Sequence, residues 1–272
     1  SNPHQIPVWI AEAEKHHTDL LFSAGGDGTA LAIAEQLIRM KSSIPLAVIP
    51  MGTSNMLALS LGLHGEMEEV LSTLWEGIAV KIDAGYAREK DRYYLVGASI
   101  GAHAELIRRT PRMLKRLIGV FAYILAGIRT MIGRRSANVR IETDLGNWRW
   151  KTDSIEVFNT TGFLHSEQAL LPRVDPMDGK LDLMALRAGS LVDLVGLLLY
   201  GLFGMRFKPW YTEHRQIERV FINPTKPMEV QLDGESIGHT PVTIEVRKKA
   251  LSVVVPNPLK SRPLQHQEEI LQ

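Results

Sequence analysis

The chain contains no cysteine, which excludes disulfides, thiolate nucleophiles and thiolate metal centres, and agrees with a reducing, cytoplasmic setting. GxxxxGK[ST] is also missing, and with it a Walker-type nucleotide site. There is no GxSxG elbow and no Ser-His-Asp order, so hydrolysis by an activated serine has no support. The nine histidines carry no metal-ligand spacing. His16 and His17 are adjacent rather than four apart, His103, His165, His214 and His239 match no ligand pattern, and His103 reads first as a packed or hydrogen-bonded side chain. No apolar stretch reaches the ~18 uninterrupted residues of a membrane span. Neither sign of charge dominates, with 31 basic against 30 acidic residues and a net charge of +1, so no global field gathers nucleic acid. Repeats, low-complexity tracts and a visible signal peptide are lacking too. At 272 residues, 45% hydrophobic and 22% charged, the chain can bury one large core or two moderate ones, and two domains are expected.

What is present is a glycine-rich turn, Ser23-Ala24-Gly25-Gly26-Asp27-Gly28-Thr29. The apolar run Leu20-Leu21-Phe22 ahead of it reads as a parallel strand buried on both faces. Behind it Leu31, Ala34, Leu37 and Ile38 recur at helical spacing. Glycines let backbone N–H groups approach an anion, and a helix start adds unpaired donors and the positive end of the macrodipole, so phosphate can be held without a lysine. A glycine turn alone is often steric in origin. Here a second turn of the same kind follows. Pro45-Leu46-Ala47-Val48-Ile49-Pro50 reads as another buried strand and runs through Met51-Gly52-Thr53-Ser54-Asn55 into a helix near Met56. In a parallel sheet both loops fall at the carboxyl edge, where open α/β sheets bind ligands.

Organisation changes near residue 83. Before it strands and helices alternate; Met67, Val70, Leu71, Leu74 and Trp75 mark an amphipathic helix, and Val80-Lys81-Ile82-Asp83 opens the crossing onward. After it strands are expected at Tyr93–Ser99, Asn138–Asp144, Trp148–Asn159, Leu181–Leu186, Val220–Asn223, Met228–Leu232 and Val242–Val246, with a hairpin turn at Leu145-Gly146-Asn147. Alternating elements followed by a run of strands predict an α/β domain and then a β-rich one.

These segments resemble the diacylglycerol kinase catalytic family, which includes bacterial lipid kinases and sphingosine and ceramide kinases, with NAD kinases more distant. The family's GGDGT stands at Gly25 to Thr29 and its P-x-G-T-x-N at Pro50 to Asn55. D-G-x-L-D stands at Asp178 to Asp182, and D-G-E at Asp233 to Glu235. The four blocks come in family order and the resemblance runs from about His17 to Pro256. It implies an N-terminal doubly wound α/β nucleotide-binding domain followed by a β-sandwich-like domain, with the active site in the cleft between them. The boundaries read as 1–82 with 252–272 for the first domain, Leu251 to Leu271 being the returning segment, and 83–251 for the second, lipid-substrate domain. The family normally opens with a strand-helix-strand stretch carrying an Asn-Pro-x-x-Gly turn, whereas 19 residues precede Leu20 here. Either the protein lacks its first β-α segment or those residues are dropped from this sequence, and the second is expected, since losing an inner strand would expose unpaired sheet edges. Ser1-Asn2 is compatible with a cloning remnant.

By the same resemblance ATP and Mg²⁺ are the cofactors. Gly25, Gly26, Asp27, Gly28, Thr29, Gly52, Thr53 and Asn55 bind the nucleotide, and Asp27 joins an Asp, water and Mg²⁺ network with Asp83. Asp83 is otherwise an ordinary strand-end acid. Phosphoryl transfer needs alignment, charge neutralisation and a base for the attacking hydroxyl. The base falls to Asp233 or Glu235, although an isolated Asp-Gly is first a hairpin turn. Val174 to Lys180 resembles a loop that holds a structural Mg²⁺, with the Asp178 carboxylate and the carbonyls of Asp175 and Lys180 as ligands; its bland counterpart is a solvated acidic turn. Met56 stands where many bacterial relatives carry aspartate.

The middle of the chain adds a physical feature. Arg108, Arg109, Arg112, Lys115, Arg116, Arg129, Arg134 and Arg135 flank the apolar stretch Leu117 to Met131, with no carboxylate between 108 and 135. Such a helix suits an anionic membrane surface, each cation contributing about 1 kcal/mol, or it covers the β-rich domain. Leu191 to Phe207 is a second apolar stretch. The expectation is thus a cytoplasmic, peripherally membrane-associated lipid kinase acting on the hydroxyl of a diacylglycerol-like lipid, with a homodimer among the assemblies allowed. The alternatives are an NAD kinase-like enzyme and a non-catalytic nucleotide- or lipid-binding regulator of the same fold.

Overall fold

A computed structural model describes residues 5–52, 55–63, 65–101, 137–152, 154–160, 174–186 and 211–257. Thr53, the basic stretch 108–135, the apolar stretch 191–207, His103 and His165 lie outside them. In order come α1 (Ile6–Lys15), β1 (Leu21–Gly25), α2 (Asp27–Met40), β2 (Leu46–Pro50), α3 (Met56–Ser60), α4 (Met67–Trp75) and β3 (Ile78–Ala87). Strands follow: β4 (Arg92–Tyr94), β5 (Gly97–Gly101), β6 (Ala137–Thr143), β7 (Gly146–Thr152), β8 (Ser154–Phe158) and β9 (Leu181–Leu186). The last five are β10 (Tyr211–Ile217), β11 (Arg219–Pro224), β12 (Glu229–Leu232), β13 (Glu235–His239) and β14 (Val242–Val255). The described residues up to Ala84 and from Lys248 onward pack as one unit, and those between Gly85 and Arg247 as a second. Among the described residues no helix is long and apolar enough to cross a membrane.

In the first unit β1 pairs parallel with β2, from Leu21 opposite Leu46 to Gly25 opposite Pro50. Val253 of β14 pairs parallel with Leu46 on the other side. Leu46, Ala47 and Val48 are accordingly buried, as a central parallel strand requires. The flanking strand differs from expectation. Only Ser23 of β1 is buried and Phe22 is 53% exposed, because β1 has one neighbouring strand among the described residues. Helix α2 buries Ala30, Ala34, Leu37 and Ile38, so the stripe read from the sequence is displaced at its first position, from Leu31 to Ala30. In α4 the buried stripe narrows to Val70 and Leu74, four residues apart, and Trp75 is 90% exposed.

The second unit is built from strands. One set runs β14-β11-β6-β7 and the other β10-β9-β8-β5-β12-β13. Val139, Ile141, Val220, Ile222, Val242 and Ile244 from the first set share one core with Ala98, Ile100, Ile155, Val157, Leu181, Leu183, Val230 and Leu232 from the second. The alternation of these residues with polar ones gives each sheet one apolar face, and the two faces meet as a sandwich. The stretch Trp148–Asn159 is two strands rather than one: β7 pairs β6, β8 pairs β5 and β9, and the chain changes sheets between Thr152 and Ser154. The hairpin turns at Asp144-Leu145, one residue earlier than the glycine suggests, because the Thr143 hydroxyl accepts from the Leu145 N–H at 3.0 Å and donates to the Gly146 carbonyl at 3.1 Å.

Candidate functional site

The first glycine loop is a bare helix start. Gly26 is the N-cap of α2 with extended backbone and no side-chain capping hydrogen bond. The N–H groups of Thr29 and Ala30 donate to the Gly26 carbonyl, at 3.0 and 3.2 Å. A Cβ added to Gly28 would meet nothing within 4 Å, so open space lies over the first turn. The N–H groups of Asp27 and Gly28, ahead of these bonds, have no acceptor within the helix, and with room above them they fit a phosphate group.

The second loop comes in backbone to backbone. The Met51 N–H donates to the Gly25 carbonyl at 2.9 Å. A Cβ on Gly52 would lie 2.6 Å from Gly26 Cα, a separation that real side chains do not adopt, so glycine is required there. Asn55 closes its own loop: its side-chain carbonyl accepts from Gly52 N–H at 2.8 Å and its amide donates to the Gly52 carbonyl at 3.0 Å. Asn55 can do this because its backbone is left-handed, φ 48°, a conformation asparagine tolerates. Asp27 joins the two loops, its Oδ1 accepting from the Leu57 N–H at 3.1 Å in the first turn of α3. Its other oxygen has no hydrogen-bond partner among the described residues. Gly25, Gly26, Asp27, Gly28, Thr29, Gly52 and Asn55 thus come together.

Asp83 meets a different partner. It is 1% exposed, and its Oδ1 accepts from the backbone N–H of Lys249 at 2.7 Å, where β14 passes through a left-handed residue, φ 50°. That contact serves the backbone of the strand pair.

In the second unit Asp233-Gly234 forms the two-residue turn between β12 and β13, with Leu232 opposite Glu235 and positive φ at both turn residues, 48° and 87°. The turn also holds another segment. The Asp233 carboxylate accepts from the N–H groups of Leu95, Val96 and Gly97, at 2.8, 2.9 and 2.9 Å. Its own N–H donates back to the Gly97 carbonyl at 2.9 Å. This is why Tyr93–Ser99, read as one strand, breaks between β4 and β5. Beside it Tyr94 is 1% exposed over Gly85; burial, with the Asp233 charge adding to it, pushes the phenol well above its usual range. Glu235, two residues on, has a side chain 63% exposed and pairs with Arg92 at 3.0 Å.

Val174 to Lys180 is a turn held by its own aspartates. Asp175 Oδ1 accepts from Met177 N–H and Asp178 Oδ1 from Lys180 N–H, both at 2.9 Å, while Asp178 Oδ2 accepts from the Gln216 amide at 3.1 Å. Each Asp178 oxygen keeps a second lone pair. Next to the turn is a pair that sequence reasoning missed. Asp182, with a side chain 2% exposed, lies 2.5 Å from His214 Nε2. Burial raises the Asp182 carboxyl above its ordinary value, opposed by the hydrogen bond and charge of His214. Pairing of β9 with β10 brings the two together, and β10, a polar heptad of residues, gave no strand signal. Among the described residues no group of three His, Asp or Glu side chains is arranged to hold a metal ion.

Comparison with known proteins identifies this arrangement. The family model described as the diacylglycerol kinase catalytic domain matches residues 1–87, and that of the YegS C-terminal NAD kinase beta sandwich-like domain matches residues 96–255. A diacylglycerol kinase of Bacillus subtilis (strain 168) is 29% identical over 246 residues, covering 90% of this chain and 80% of the relative. One of Staphylococcus aureus (strain JH9) is 25% identical over 261 residues, covering 96% and 82%. The crystal structure of a diacylglycerol kinase from Bacillus anthracis str. Sterne superposes with a TM-score of 0.72 at 24% identity, covering 95% of this chain and 84% of that one. With an α/β domain of the first kind followed by a β-sandwich-like domain of the second, the chain belongs to the diacylglycerol kinase family.

Proposed function

We propose that this protein is a lipid kinase that transfers the γ-phosphoryl group of ATP, with Mg²⁺, to the hydroxyl of a diacylglycerol-like lipid at a membrane surface. The observation that carries the proposal is the contact of Gly26 with Gly52 beneath the uncapped start of α2, with Asp27 tying the two loops together. The backbone N–H groups of Asp27 and Gly28, ahead of the first intrahelical bond of α2, would hold phosphate oxygens, and the Asp27 carboxylate would hold the metal. Bound Mg²⁺ would supply neutralisation of the charge on the transferred phosphoryl group. Asp83 supports β14 through the Lys249 N–H.

Of the two candidate bases, the surroundings favour Glu235. Asp233 is committed to three backbone donors, whereas Glu235 is exposed and held by a single arginine. A lipid hydroxyl of pKa near ~16 gains from a base only as the bond to phosphorus forms, so an ordinary carboxylate suffices. The test is transfer of label from γ-labelled ATP to vesicle-borne lipids, with NAD as a soluble control and Mg²⁺ present or chelated. Label on lipid only with Mg²⁺ supports the proposal. Label on NAD would move the protein to the NAD kinase branch, and ATP binding without transfer would make it a regulator.

A further inference from the structure

Three arginines close on one carboxylate at a place that no sequence motif marks. Glu245 on β14 stands directly opposite Arg219 on β11. Its side chain is 10% exposed and pairs with Arg88, with Arg247 at 3.0 Å and with Arg219 at 3.5 Å. The arginines are far more open, at 53% for Arg88, 55% for Arg219 and 40% for Arg247. One carboxylate offers about four lone-pair positions against about fifteen N–H donors on three guanidiniums, so it satisfies only a minority of them. The cluster is held in place from both sides. The Arg247 guanidinium lies 4.5 Å from the centroid of the Tyr86 ring. Arg88 sits on the 3-10 turn Arg88–Lys90, whose Glu89 accepts from the Thr243 N–H at 2.6 Å and from its hydroxyl at 2.5 Å.

Pre-positioned guanidiniums with surplus forked donors match the oxygens of a phosphate group better than those of a single carboxylate. We propose that Arg88, Arg219 and Arg247, gathered by Glu245, form a binding site for a phosphate group, carried by an anionic lipid headgroup or by a soluble phosphate. The site stands independently of the glycine loops.

The test uses the whole chain in two arms. Inorganic phosphate is titrated calorimetrically, and co-sedimentation is measured with vesicles of phosphatidylcholine alone or mixed with phosphatidylglycerol. Binding in the first arm assigns a soluble source, and binding only to the mixed vesicles assigns a headgroup. In either case Arg219→Gln and Arg247→Gln each weaken binding about tenfold, the loss of one charge-assisted contact. Glu245→Gln separates this from mere ion pairing, because removing the competing carboxylate keeps or tightens phosphate binding. Should Glu245→Gln fail to fold by circular dichroism, the two arginine variants, altered at open side chains, decide alone. No binding in either arm, or binding unchanged in both arginine variants, would overturn the proposal.

Discussion

Asp233 and Glu235 are two residues apart and meet opposite surroundings. Asp233 has its carboxylate filled by Leu95, Val96 and Gly97 N–H groups, while Glu235 is open to solvent beside Arg92. Substituting each tests the division of roles. Asp233→Asn keeps the left-handed turn, which asparagine tolerates, but offers one accepting oxygen in place of two and leaves a backbone donor short. Stability should fall by about 1–3 kcal/mol, read as a lower denaturant midpoint. Glu235→Gln should leave that midpoint in place and lower the turnover of lipid roughly a hundredfold to ten-thousandfold, the span of a lost general base. Full turnover in Glu235→Gln would remove it from the chemistry.

At the scale of elements, two contacts make separate predictions. The glycine loops meet where a Cβ on Gly52 would lie 2.6 Å from Gly26 Cα, with backbone rather than a flexible side chain in the way. Gly52→Ala should therefore push the loops apart and cost about 1–3 kcal/mol of overpacking strain. ATP affinity, measured by titration, should fall with it; unchanged affinity would mean that the second loop does not shape the phosphate site. The Arg88–Lys90 turn is fastened to β14 by Glu89. Burial pushes the Glu89 carboxyl up, but the hydrogen bonds from Thr243, with help from Arg88, outweigh it and bring it below its ordinary 4.5. A carboxyl lowered in the folded state stabilises above its unfolded value and loses that contribution as pH falls through the folded one. Thr243→Val should be less stable than the parent at neutral pH, with the gap in thermal midpoint narrowing below about pH 4.5. A gap constant across that range would contradict the assignment.

For the whole molecule, what the sequence made legible follows from what is local. The turn from β1 into α2 was visible because glycine, aspartate and hydrophobic period lie within a few residues of one another, and the order of an α/β domain then a β-rich one followed from alternating elements giving way to short strands. What escaped depends on pairing between distant segments. Helix α1 and strands β10 and β13 carry weak patterns of their own, and β10 takes strand form through its ladder with β9. The capture of Leu95 to Gly97 by Asp233, the Asp182–His214 pair and the contacts of Arg88 and Arg219 with Glu245 each join residues far apart in the chain. Even the Asp-Gly turn, legible as a hairpin, hid the second task of its carboxylate. The central claim is that the two glycine loops serve phosphoryl transfer to a lipid. The most direct measurement is transfer of label from γ-labelled ATP to diacylglycerol in vesicles, with and without Mg²⁺. Mg²⁺-dependent labelled lipid, reduced at least a hundredfold by Glu235→Gln, is the result predicted; ATP bound at the loops with no label on any lipid would contradict it.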